Sequence, residues 1–233
     1  MPPEPLRAPY ERSVFLNCPF DAEYRPLLHA LVFAIQHCGF LARSAQEVED
    51  GGEVRIGKVK RVIGECGFGI HDISRVELDP ATRLPRFNMP LELGLFLGAQ
   101  EYGDAEQKRK RSLVLDREPF RYQRFCSDIA GQDIRAHMND PGRVISAVRA
   151  MLATALDGVV RIPGEAVIRK RFRQFRRELP DLCQRLHVRP AELQFVELRS
   201  LVEEWIVSHP LPETAPVPAH PSFGASPTNV PST

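Results

Sequence analysis

Two acidic residues set among apolar ones carry the chemistry open to this sequence. Glu92 is the one charge in Asn88-Met89-Pro90-Leu91-Glu92-Leu93-Gly94-Leu95-Phe96. Pro90 suits the first turn of a helix, where its missing N–H costs nothing. That puts Glu92 close to a helix N-terminus. A lone carboxylate among Met89, Leu91, Leu93, Leu95 and Phe96 is expensive to bury, so it is paired, held at a rim, or kept for chemistry. Asp72 closes a short apolar strand, Gly67 to Ile73, and open α/β sheets bind ligands at strand carboxyl ends. A carboxylate at such an edge can attack the anomeric carbon of a ribosyl group, form a glycosyl ester, and pass the sugar to water. The transition state is oxocarbenium-like. The leaving base must take a proton or already carry positive charge, as nicotinamide does in NAD. Asp72 in the same pocket would hold the base or a ribose hydroxyl. Asn17, ending the first strand, would add a hydrogen bond.

Each of these residues also has an ordinary structural role. A glutamate in the first helical turn is favoured by the helix dipole alone. Asp72 followed by Ser74 fits a strand-end Asx turn. Asn17 before Cys18-Pro19 fits a turn, and Phe20, Tyr24 and Phe87 fit a core. His71 fits a packed strand residue better than a base.

The surrounding pattern supplies a scaffold. Short apolar runs at 13–17, 40–45, 67–73, 111–115 and 133–137 are expected strands. Helical spacing follows at 24–38, 54–66, 90–102 and 141–156, with Asp21 as an N-cap and Gly39 as a stop. A polar loop is expected at 47–52, a Pro-rich loop at 78–87, and a loop with a short helix at 118–131. Strand and helix alternate about five times, which predicts a flavodoxin-like five-stranded parallel sheet with helices on both faces and right-handed crossovers. Residues 1–10 are expected to be a flexible tail, 11–158 the α/β domain, 159–209 a helical extension and 210–233 a disordered tail. The extension holds a basic helix over 165–179, an interruption at Pro180, a short helix over 181–187 and a last helix over 191–208.

Composition removes several function classes. With 233 residues and a formal charge of +1, the chain is no dedicated nucleic-acid or membrane-surface protein. The longest apolar run, 27–35, is too short to span a bilayer. Five widely spaced cysteines, with no CxxC pair, indicate reduced thiols and a cytoplasmic setting, with neither a disulfide framework nor a metal site. There is no Walker loop, no GxGxxG after a strand, no GxSxG elbow and no HExxH helix.

The polar end of the first strand, Asp72 after the third, and the helix opening with Glu92-Leu93-Gly94 together resemble the nucleoside 2-deoxyribosyltransferases. The layout is also similar to bacterial TIR-like domains, in which a glutamate on the helix after the third strand cleaves the nicotinamide bond of NAD. The resemblance covers about residues 13–156. It implies Glu92 as nucleophile, Asp72 as the acid that binds the base, and substrate contacts from Asn17, Phe20, Asp21, Ser74, Asn88 and Met89. The leading glycine of the transferase motif is absent here, and Leu95 and Phe96 replace the small residue that follows it. The resemblance implies an N-glycosidase with NAD as substrate rather than cofactor. It further implies a prokaryotic defence effector, regulated by self-assembly or by a partner through the C-terminal helices. The alternatives from the residues alone are a non-catalytic module that binds a nucleotide signal at the same edge, and an interaction domain whose basic helix, Arg169 to Arg177, docks onto an acidic partner or RNA.

Overall fold

The computed structural model describes residues 9–47, 52–78, 81, 83–85, 87–155 and 162–212. The tails at 1–8 and 213–233 lie outside the described residues, as do parts of the loops at 47–52 and 78–87. Five strands form one sheet: β1 (Ser13–Asn17), β2 (Leu41–Arg43), β3 (Phe68–Asp72), β4 (Arg111–Asp116) and β5 (Arg135–Ala136). All pairings are parallel, in the order β2-β1-β3-β4-β5. Six α-helices accompany them among the described residues: α1 (Arg25–His37), α2 (Arg55–Gly64), α3 (Asn88–Tyr102), α4 (Pro141–Ala155), α5 (Glu165–Arg185) and α6 (Phe195–Ser208). This is the flavodoxin-like α/β architecture that the strand–helix alternation predicts.

The strands are apolar runs because both faces of the sheet are covered. Val14 and Leu16 point into a core built with α1 and α4, whereas Phe15 points the other way, to Val59, Val62 and Phe96 of α2 and α3. Gly69 in β3 allows α3 to come close. A Cβ there would lie 2.6 Å from His71 Nε2 and 2.7 Å from the Phe96 ring. Gly39, at φ +81°, ends α1 in the left-handed conformation that glycine adopts freely.

Helix α1 is buried nearly all round, which an amphipathic surface helix is not. Its inner side packs on the sheet and α4. Its outer side is covered by α5 and α6, where Phe33 meets Phe172, Phe175 and Trp205 at 5.4–5.6 Å between ring centroids. The C-terminal helices therefore share one hydrophobic core with the α/β domain.

Helix α5 runs unbroken to Arg185 through Pro180, where the sequence predicts an interruption. Proline inside a helix costs about 3 kcal/mol. Here the apolar stripe Ile168, Phe172, Phe175, Leu179 and Cys183 stays in register across it, and burial of that stripe outweighs the lost bond. Helix α6 starts at Phe195, later than its apolar pattern, because Gln194 and Glu197 form a reciprocal capping box there.

Candidate active site

With this strand order the connections leave β1 on one side and arrive at β3 on the other, so the carboxyl ends of β1 and β3 flank the switch point where such sheets bind ligands. Asn17 ends β1 opposite His71 of β3. Its Nδ2 donates to the backbone oxygen of Met89 at 2.8 Å, and also lies 3.1 Å from His71 Nδ1. The first bond ties the start of α3 to the switch point, one helical turn before Glu92. Asn17 Oδ1 and His71 Nε2 are buried without a hydrogen-bond partner. Burial lowers the imidazole of His71 to about 3, so it is neutral and unsuited to act as a base.

Glu92 is 5% exposed. Its ion-pair partner is Arg55, at 3.6 Å, which reaches over from the start of α2 with its own side chain 57% exposed. The flanking Asn88 and Leu91 are exposed, so the carboxylate sits just below a rim. Burial raises its carboxyl above the ordinary range, and Arg55 pulls it part of the way back.

Asp72 is in a different situation. It is 0% exposed. Tyr24 donates its hydroxyl to Oδ2 at 2.5 Å, and the Ser74 N–H donates to Oδ1 at 2.9 Å. The second bond is the Asx turn. His137, just beyond β5, accepts the Asn139 N–H at Nδ1. That puts its ring proton on Nε2, 3.2 Å from Asp72 Oδ2 but out of hydrogen-bond alignment. Both oxygens of Asp72 are thus committed to the protein. A cleft of about 120 Å³ opens beside this network, lined among others by Tyr24, Ser74, Arg75 and Asn139, with Asp72 behind the first two. Neither Asp72 nor Glu92 lines it.

The remaining candidates divide. Met89 contributes its carbonyl, and Asn88 lies exposed at the helix start. Asp21 caps the Tyr24 N–H at 2.9 Å and pairs with Arg75 at 3.0 Å. Ser74 offers its carbonyl to Arg121 at 2.7 Å. Phe20 packs edge-on against Phe195 of α6, with centroids 6.2 Å apart, and so serves the core. The structure adds Arg55, Tyr24, Cys18 and Asp116. The Cys18 thiol is pushed well up, first by burial and then by Asp72, Glu92 and Asp21, so three carboxylates act on one buried group. Asp116 ends β4, one residue beyond the expected strand. It is held by Arg121 at 2.6 Å, with burial raising its carboxyl. The strand-end rule that singles out Asp72 would have found it. Arg55 carried no signal beyond the polar face of a helix.

Among the described residues no group of three or more His, Cys, Asp or Glu is placed to hold a metal, and no helix is long and apolar enough to cross a membrane. All five cysteines are free thiols. No family model, curated protein or solved structure matches the chain.

Proposed function

We propose that this chain is an N-glycosidase that cleaves the base–ribose bond of a nucleotide, with NAD the favoured substrate and Glu92 the nucleophile. One observation carries the reading. Asn17 ties the start of α3 to the β1/β3 switch point and so brings to that edge a buried carboxylate whose ion-pair partner is a single exposed arginine. The Glu92 carboxylate attacks the anomeric carbon, the C–N bond breaks with its electron pair going to the base, and water then hydrolyses the ribosyl ester with release of a proton. Asp72, with both oxygens engaged, is a positioning residue and donates no proton to the leaving base. A base that needs none fits best. Nicotinamide leaves as a neutral molecule because the departing electron pair cancels its charge.

Arg55 offsets part of the pull of burial on the Glu92 carboxyl, and its exposed side chain can swing out as substrate enters. The defence role and the control by assembly through the C-terminal helices belong to the same proposal and rest on the resemblance. The test is chromatography of NAD incubated with the wild type and with Glu92→Gln across a range of protein concentrations. The expected result is nicotinamide release that Glu92→Gln abolishes. Equal release by both proteins would remove Glu92 from the mechanism. Ligand-dependent thermal stabilisation with no product at any concentration would favour the alternative, a nucleotide-binding module, for which the 5% exposure of Glu92 is the supporting observation.

A further inference from the structure

The basic helix α5 has no part in the Glu92 chemistry. From Ala166 to Arg177 it carries no acid, yet six arginines and lysines fall in that span. Along its polar side, Arg169 and Arg173, and Arg173 and Arg177, stand four apart, a like-charge spacing that destabilises a helix. A solvated helix face normally mixes its charges. Here one sign is kept at a cost in stability.

Five of the six basic side chains, all but Arg171, line a cleft of about 830 Å³ between α5 and the start of α4. Small-molecule sites occupy about 300–1,000 Å³. Arg169 is committed to the protein, bonded to Glu165, the Gly142 carbonyl and Ser146. Lys170, Arg173, Arg176 and Arg177 line the same cleft, all exposed, and among the described residues none has a carboxylate within salt-bridge distance. The one acid lining the cleft, Asp140, is occupied in capping the Gly142 N–H at 2.7 Å. The positive field reaches inward: the buried imidazole of His29 is lowered to about 4, first by burial and then by Arg176 and Arg25.

The aromatic residue in the lining, Phe172, is 6% exposed and packs on Phe33. The cleft therefore has charge without a stacking platform, which single-stranded nucleic acid would use. Guanidinium forks bind phosphate oxygens in pairs, and successive turns of a helix set them about 5.4 Å apart, a spacing suited to neighbouring phosphates. We propose that the cleft between α4 and α5 binds a small polyphosphate anion, such as the triphosphate of a nucleotide. The site is independent of the Glu92 reading.

Titration calorimetry on the full chain tests it with inorganic tripolyphosphate, ATP and a 20-nucleotide oligouridine as probes. Saturable one-site binding of tripolyphosphate is expected, weakened at least tenfold in Arg173→Gln/Arg176→Gln and within twofold of wild type in Arg185→Gln, further along the same helix. Tighter binding of ATP than of tripolyphosphate would place the nucleoside in the cleft as well, and equal binding would confine recognition to the phosphates. Either result supports the proposal. Thermal melts check that the variants fold, and the single exposed change Lys170→Gln, expected to weaken binding several-fold, serves if the double variant does not. No binding by the wild type, equal binding by the cleft variants, or oligouridine binding that tripolyphosphate does not displace would overturn it.

Discussion

Acid should destabilise this protein through its buried histidines, from about pH 6.5 downward. Three histidines are buried in neutral form: His29 at 5% exposure, His37 at 7% and His71 at 0%. Burial lowers His29 and His37 to about 4 and His71 to about 3, and nearby cations (Arg176 and Arg25, Arg171, and Lys110, respectively) add to it. The geometry agrees, since His37 Nε2 accepts a 2.6 Å hydrogen bond from Arg171 and has no room for a proton there. Unfolding returns each ring to about 6.5. Below that pH the unfolded chain binds protons that the folded chain refuses, so stability is full above about pH 6.5 and falls as pH drops. From pH 7 to pH 5 the loss is about 2 kcal/mol per histidine and about 6 kcal/mol for the three together. That is a large fraction of the 5–15 kcal/mol typical of a folded domain. Urea unfolding followed by fluorescence of Trp205, the single tryptophan and 1% exposed, measures it directly. His37→Gln keeps an acceptor for Arg171 but cannot titrate, and should remove about a third of the pH effect. A stability change under about 1 kcal/mol between pH 7 and pH 5 would refute the burial of these rings as neutral groups.

Three further outcomes follow from the site and its supports. Arg55→Gln removes the charge that offsets burial of Glu92. The acid limb of the NAD-cleavage profile should then move to higher pH, and an unchanged or lowered limb would contradict the pairing. Tyr24→Phe deletes the hydroxyl that donates to buried Asp72. It should cost about 1–3 kcal/mol in urea unfolding, and a neutral result would mean that this bond carries no load. Gly69→Ala drives a methyl into His71 and Phe96. It should cost about 1–3 kcal/mol by the same assay, with a shift in the near-ultraviolet signal of the aromatic residues.

Much of the scaffold was legible because its signals are local. The polar ends of β1 and β3, the glycine after α1 and the proline in the first turn of α3 each act within a few residues of themselves. The site was legible only as far as side chains reveal it. The contact that brings α3 to the switch point is made to a backbone carbonyl, that of Met89, which no residue type announces. Arg55 meets Glu92 from a helix 37 positions earlier in the chain, and only the fold sets that pairing. Phe20 follows the first strand as a base-stacking residue would, but α6 reaches it first. The sequence marks the C-terminal helices only as an extension because their partner is distant in sequence. The one local hint was the unbroken apolar run from Ala30 to Ile35 in α1, which needs cover on two sides.

The central claim is that the carboxylate of Glu92 bonds to a sugar carbon. A 2′-fluoro-arabino analogue of NAD slows hydrolysis of such an ester, and peptide mass spectrometry after rapid acid quench locates it. A glycosyl adduct on the peptide bearing Glu92, lost in Glu92→Gln, is the predicted result. An adduct on any other residue, or nicotinamide release from the analogue with no adduct at all, would contradict it.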